Sequence, residues 1–165
     1  MNNPDFLVWT DGSGYKDGFG GWAAYVHTPD KTHELFRMGA VVGTSVDRAE
    51  LTGIIEGLQM VADLMTIIPH KLAMGQRVWK PKVKMYSDRE NLVLSIQKVN
   101  ARSNSPDLWR RFEFYEGFMA LDANHVLRET DFPEFVFVDL HASSARIIAK
   151  QYAEASGLPR SIIEI

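Results

Sequence analysis

The chain contains no cysteine. That excludes a disulfide framework, a thiolate zinc site and a thiol nucleophile, and it fits a reducing compartment. Long apolar runs are missing too. No stretch approaches the roughly 18 residues needed to cross a bilayer, and MNNPDFLVW at the start has no basic segment leading into an apolar one. A protein without a membrane association, located in the cytoplasm, is therefore expected. Nor does charge of one sign dominate. Lys and Arg number 18 against 21 Asp and Glu, for a net charge of -3, so any site for a polyanion has to be local. Internal repeats, low-complexity tracts and linkers are likewise missing. What remains is a chain of 165 residues, 45% hydrophobic, long enough to bury one good core. A single domain over 1–165, monomeric, is the natural expectation.

Three strand-like segments come first, at 5–11, 20–28 and 32–41, separated by Gly-rich or Pro-Asp turns. They predict an antiparallel meander. From Thr44 the period changes: Leu51, Ile54, Ile55, Leu58, Val61 and Met65 recur at three- and four-residue steps, which predicts a helix over roughly 45–64. TIIPHKLAMGQRVWKPK, at 66–82, breaks the periodicity and reads as an inserted basic loop that extends to Lys84. VKMYS at 83–87 is a short buried strand. Ser87 and Glu90 then have the spacing of a capping box for a helix over about 88–99. PDLWRRFEFYEGFMAL predicts a third helix over 106–121, and EFVFVDL at 134–140 is the most strand-like run in the chain. A last helix, opened by Ser143 and closed by Gly157, follows it. This order implies an α/β architecture, one mixed sheet with helices packed on its faces.

Three acids fall at the ends of these elements. Asp11 closes the first strand, Glu50 lies in the first turns of the first helix, and Asp88 follows the fourth strand. Neighbouring strand ends in such sheets gather side chains from distant sequence at one edge. Three buried carboxylates raise one another's pKa values, and desolvation adds to the conflict. A divalent cation removes it. Oxygen ligands without cysteine point to Mg²⁺ or Mn²⁺ rather than zinc. Taken singly, each acid also suits a plainer role: Asp11 a turn, Glu50 a solvated helix face, Asp88 a helix start.

TDGSG, GGWAAYV, TSVDRAELTGIIEGL, VKMYSDRENLVLSIQ, PDLWRRF and FVFVDLHASS, in this order over nearly the whole chain, resemble ribonuclease H of type 1 and its retroviral relatives. The resemblance implies a ribonuclease H-like fold, with a five-stranded mixed sheet and helices on both faces. It implies cleavage of the RNA strand of RNA–DNA hybrids by two metal ions, held by Asp11, Glu50 and Asp88 with Asp11 bridging them. Gly12 and Gly14 then let the substrate backbone approach, beside Ser13. Thr44 and Ser45 precede Arg48-Ala-Glu-Leu, where the family touches the minor groove of the hybrid. His141, after the 134–140 strand, matches an auxiliary histidine near the scissile phosphate.

The family also has a fourth carboxylate on the last helix, and there this chain departs from it. The matching stretch RIIAKQYA offers Lys150, or Gln151 one residue on. Lys150 is then a solvated residue beside a weakened three-acid site, or its ammonium replaces part of a metal's charge and contacts phosphate. Alternatively, Glu154 or Asp139 compensates. The basic insert at 66–84, with Lys71, Arg77, Trp79, Lys80, Lys82 and Lys84, is a solvated loop, a protein-partner surface or a nucleic-acid contact. A second insert near 122–133 carries no legible chemistry, and His27, His33, His70 and His125 receive no role. Two other classes remain beside the nuclease: a degenerate binding module of the same fold, and an actin-like ATPase. The ATPase is disfavoured because it needs two such halves.

Overall fold

The first two strands are buried along most of their length, as strands covered by helices on both faces are, and the third alternates only in its first half. The computed structural model describes residues 3–68, 78–157 and 163–164. Strands β1 (Phe6–Gly14), β2 (Phe19–His27) and β3 (Glu34–Val42) form the antiparallel meander. Helix α1 (Val46–Met65) follows, and Ser45 caps it by accepting a hydrogen bond from the Arg48 amide at 3.2 Å. Strand β4 (Lys82–Ser87) lies parallel to β1, with Trp9 opposite Tyr86. Helices α2 (Glu90–Ile96) and α3 (Pro106–Glu116) come next, then β5 (Ala120–His125), parallel to β4. The chain continues through a short 3-10 turn into α4 (Pro133–Ser156). The sheet order is β5-β4-β1-β2-β3, with a two-residue strand β6 (Ile163–Glu164) added at the outer edge of β3.

Two expectations are corrected here. Residues 134–140 are helical, the opening turns of α4, and the fifth strand lies at 120–125 instead. Phe135, Val138, Ala142, Ala145 and Ala149 are the buried residues of α4, at three- and four-residue steps. The β-branched and aromatic residues between them, Val136 and Phe137, are exposed. Burial periodicity thus overrides the strand propensity of EFVFVDL. β5 gave little signal because ALDANH holds no β-branched or aromatic residue and buries only Ala123 fully. α2 is also shorter than expected, ending at Ile96 rather than about 99.

The main core lies between the sheet and α1, α2 and α3, built on Phe6, Val8, Ile54, Leu58, Val83 and Phe112. On the other face α4 covers β1, β2 and β3 through Trp9, Ala23, Phe135 and Val138. Small residues let both layers come close. A Cβ on Gly12 would stand 2.4 Å from the Glu50 amide nitrogen, and one on Gly21 would stand 2.3 Å from the Ala142 carbonyl oxygen. Among the described residues no helix is long and apolar enough to cross a membrane.

Of the basic insert, Lys71 and Arg77, with His70, lie outside the described residues. Trp79 is half-buried, and its ring meets Phe6 at 5.8 Å between centroids, packed on the core. Phe6 starts β1, five residues before Asp11, so Trp79 belongs to the end of the sheet some 17 Å from that acid.

Candidate metal centre

β1 and β4 run parallel, and the pairing of Trp9 with Tyr86 puts Asp11 and Asp88 level, each two residues farther along. α1 enters against this edge. Gly12 admits the first turn of the helix, and the Gly12 amide donates a hydrogen bond to the Glu50 carboxylate. The result is one cluster. Oxygen atoms of Asp11, Glu50 and Asp88 all lie within 4.8 Å of one another.

Burial is deep: Asp11 is 4% exposed and Glu50 1%. Desolvation, with the charge of Asp88 next, pushes the Asp11 carboxyl up to about 8, and Asp139 adds to the rise as a hydrogen-bond partner and as a charge. Burial, then Asp11 and Asp88, likewise raises Glu50 well above the usual carboxylate range. Two buried oxygens, Oε2 of Glu50 and Oδ1 of Asp88, have no hydrogen-bond partner. Unanswered acceptors of this kind cost about 1–3 kcal/mol each, and more when charged. Hard carboxylate oxygens with open coordination fit a divalent cation of the Mg²⁺ type, and the donor set contains nothing softer.

Of the candidates on the last helix, Asp139 reaches the cluster and the others stand away from it. Asp139 is the acid that α4 brings to Asp11, from the second turn of a helix rather than from a strand end. Lys150, eleven residues farther on, is exposed about 16 Å along the helix from Asp139 and does not reach the cluster. Gln151 and Glu154 are exposed still farther along. His141 is also removed from it. It sits two residues, some 200° of helical turn, from Asp139, with its ring against Phe36 and Phe137. Both displacements have one cause, the helical state of 134–140.

The sequence reading missed His125. It ends β5, opposite Ser87, and its Nε2–H donates to the Asp88 carbonyl at 2.9 Å. Only the position of β5 could have revealed it. Gly12 and Gly14 face α1, their missing side chains giving room to Glu50 and Val46 rather than to a substrate. Ser13 lies between them on the opposite face of β1. Thr44 is buried and donates to the Ser45 carbonyl at 3.3 Å, while Ser45 is exposed at the start of α1. Asp47 and Arg48 beside it are paired with Arg89 and Asp107.

The arrangement has close structural counterparts. The N-terminal RNase H domain of a Mycobacterium tuberculosis protein, solved as a fusion with maltose-binding protein, superposes with a TM-score of 0.66 at 20% identity, covering 92% of this chain and 99% of that one. The chain has the ribonuclease H fold. Two further structures with this fold agree at 20% identity each: LC11-RNase H1 in complex with an RNA/DNA hybrid, at a TM-score of 0.62, and RNase H1 from the halophilic archaeon Halobacterium salinarum, at 0.60. Each match covers 87% of this chain and 98% of the other. No family model and no curated protein matches the sequence. The ribonuclease H fold thus stands here on a sequence that shares 20% of its aligned residues with each of these three structures.

Proposed function

We propose that the protein is a divalent-metal-dependent nuclease that cuts the RNA strand of RNA–DNA hybrids, with Asp11, Glu50, Asp88 and Asp139 as its metal-holding residues. The observation that carries this reading is the convergence of Asp11, Glu50 and Asp88 within 4.8 Å, with two buried oxygens unpartnered. Mg²⁺ or Mn²⁺ bound there supplies Lewis-acid stabilisation of charge on a phosphodiester. The chain's own residues do the rest. β1 holds Asp11 on a rigid strand, Asp88 follows directly on the end of β4, and Gly12 fixes the height of Glu50. His125, anchored through Nε2 to the Asp88 carbonyl, carries an imidazole beside the site that can pass a proton through its other nitrogen. Ser45 accepts from the Arg48 amide, which leaves its own hydroxyl proton for a sugar 2′-oxygen of the RNA strand.

The test is a cleavage assay on end-labelled RNA–DNA hybrid, double-stranded RNA and double-stranded DNA, each with Mg²⁺, Mn²⁺ or EDTA. Cutting of the RNA strand that needs metal and is lost in Asp11→Asn is expected. Hybrid binding without cutting in either metal would instead identify a binding module.

A further inference from the structure

Beside the apolar packing of Trp9 on Phe135 and Val138, the face of β1 that carries Asp11 meets α4 at two further points along its length. Asp11 meets Asp139 at the first. Four residues on, just beyond β1, Tyr15 meets Arg146, whose guanidinium carbon lies 4.4 Å from the ring centroid. The periodicities agree. Asp11, Ser13 and Tyr15 alternate onto one face of the strand, whereas Asp139 and Arg146 are seven residues, two helical turns, apart on one flank of α4. The two rungs are therefore separated by about 10–13 Å.

The second rung has the features of a binding site. Five other arginines are paired with acids: Arg37 with Asp63, Arg48 with Asp107, Arg89 with Asp47, Arg102 with Glu116 and Arg111 with Glu56. Arg146 is half-buried and has no ion pair among the described residues, and its Nε is enclosed without an acceptor. Its backbone is fixed, because α4 lies so close to β2 that a Cβ on Gly21 would stand 2.4 Å from the Arg146 amide nitrogen. Tyr15 has one face under the guanidinium and remains 64% exposed. A rigid cation lacking an anion, beside an open aromatic face, suits one phosphate and one base of a nucleic-acid strand. Backbone charges follow at about 3.4 Å of axis per strand, so the rung lies within a few nucleotides of the carboxylates.

We propose that Tyr15 and Arg146 form a nucleotide subsite of the hybrid-binding surface, in which Arg146 holds a backbone phosphate and Tyr15 stacks a base of the strand that enters the carboxylate cluster. This rests on the nuclease reading of that cluster. The probe is a short fluorescein-labelled RNA–DNA hybrid, bound in EDTA to the full chain and followed by anisotropy over a range of salt concentrations. Arg146→Ala is expected to weaken binding about tenfold and to reduce the slope of log affinity on log salt by about 0.7–0.9, the loss of one phosphate contact. Arg146→Lys restores the slope. Tyr15→Phe binds as the parent does, and Tyr15→Ala loses about tenfold with the slope unchanged. The slope counts phosphate contacts, so a variant that merely folds less well leaves it where it was. Parent protein that cuts the hybrid, with unchanged affinity and slope in Arg146→Ala, overturns the subsite and leaves the nuclease reading intact. Parent protein that does not cut but binds with the Arg146-dependent slope supports the subsite and removes the nuclease reading. Absence of any hybrid binding overturns both.

Discussion

Asp11 is held in a conflict that the surrounding residues create and only a cation or a proton relieves. Its carboxyl ordinarily titrates at 3.8, and burial with Asp88 lifts it to about 8 in the folded chain. A raised acid favours the folded state fully below its unfolded pKa, and that advantage is lost as pH climbs towards the folded value. Without metal the protein is therefore expected to be more stable near pH 5 than near pH 8.5, with the loss spread over roughly pH 4–8. Thermal unfolding in EDTA across that range measures it, and a flat profile would contradict the buried cluster. Asp11→Asn removes the charge while keeping the shape. It should raise the alkaline melting temperature in EDTA, at about 2–4 °C per kcal/mol for a chain of this size, yet lower metal-dependent cleavage at least about a hundredfold. Asp139 and Lys150 divide in the same way. Asp139→Asn is expected to slow single-turnover cleavage about 10–100-fold, whereas Lys150→Ala, exposed and remote, should leave the rate within about twofold. The reverse result would restore Lys150 to the site.

At the scale of elements, close approach between layers decides where the ligands stand. Gly12→Ala would drive a Cβ into the backbone of α1 at Glu50, where no flexible side chain can give way. A destabilisation of about 1–3 kcal/mol or more is expected, together with weaker Mn²⁺ binding by calorimetry, since Glu50 moves with the helix. Unaltered metal affinity would mean that α1 does not set the position of this ligand. The same scale shows what the sequence made legible. Asp11, Glu50 and Asp88 could be found because each follows a strong local signal: an apolar strand into Asp-Gly, a capped amphipathic helix, a buried strand into Ser-Asp. Asp139 could not be placed, because its flanks EFV and FV read as strand until the burial of Phe135, Val138 and Ala142 is known. His125 was hidden for the opposite reason. Its strand at 120–125 pairs with β4 alone and carries Asp122 and Asn124 where an interior strand would carry Val or Ile.

For the molecule as a whole, folding and cation binding are coupled. The unfolded chain does not gather Asp11, Glu50 and Asp88, so a metal that binds only the folded state stabilises it by about 2.7 kcal/mol at a hundred times its dissociation constant. Mg²⁺ or Mn²⁺ should therefore raise the melting temperature by about 5–10 °C at neutral pH and flatten the pH profile described above, while Asp11→Asn should respond far less. Calorimetric scans with and without EDTA give the answer, and equal melting temperatures would argue against a metal centre. The arrangement of the sheet adds an optical consequence. Trp9, two residues from Asp11, donates its indole N–H to His27 Nε2 at 3.0 Å and stacks on Tyr86, two residues from Asp88, with 4.1 Å between ring centres. The two strands that bear the acids are thus joined by a pair of chromophores in van der Waals contact, and near-ultraviolet circular dichroism can register any relative slide of those strands without an added label.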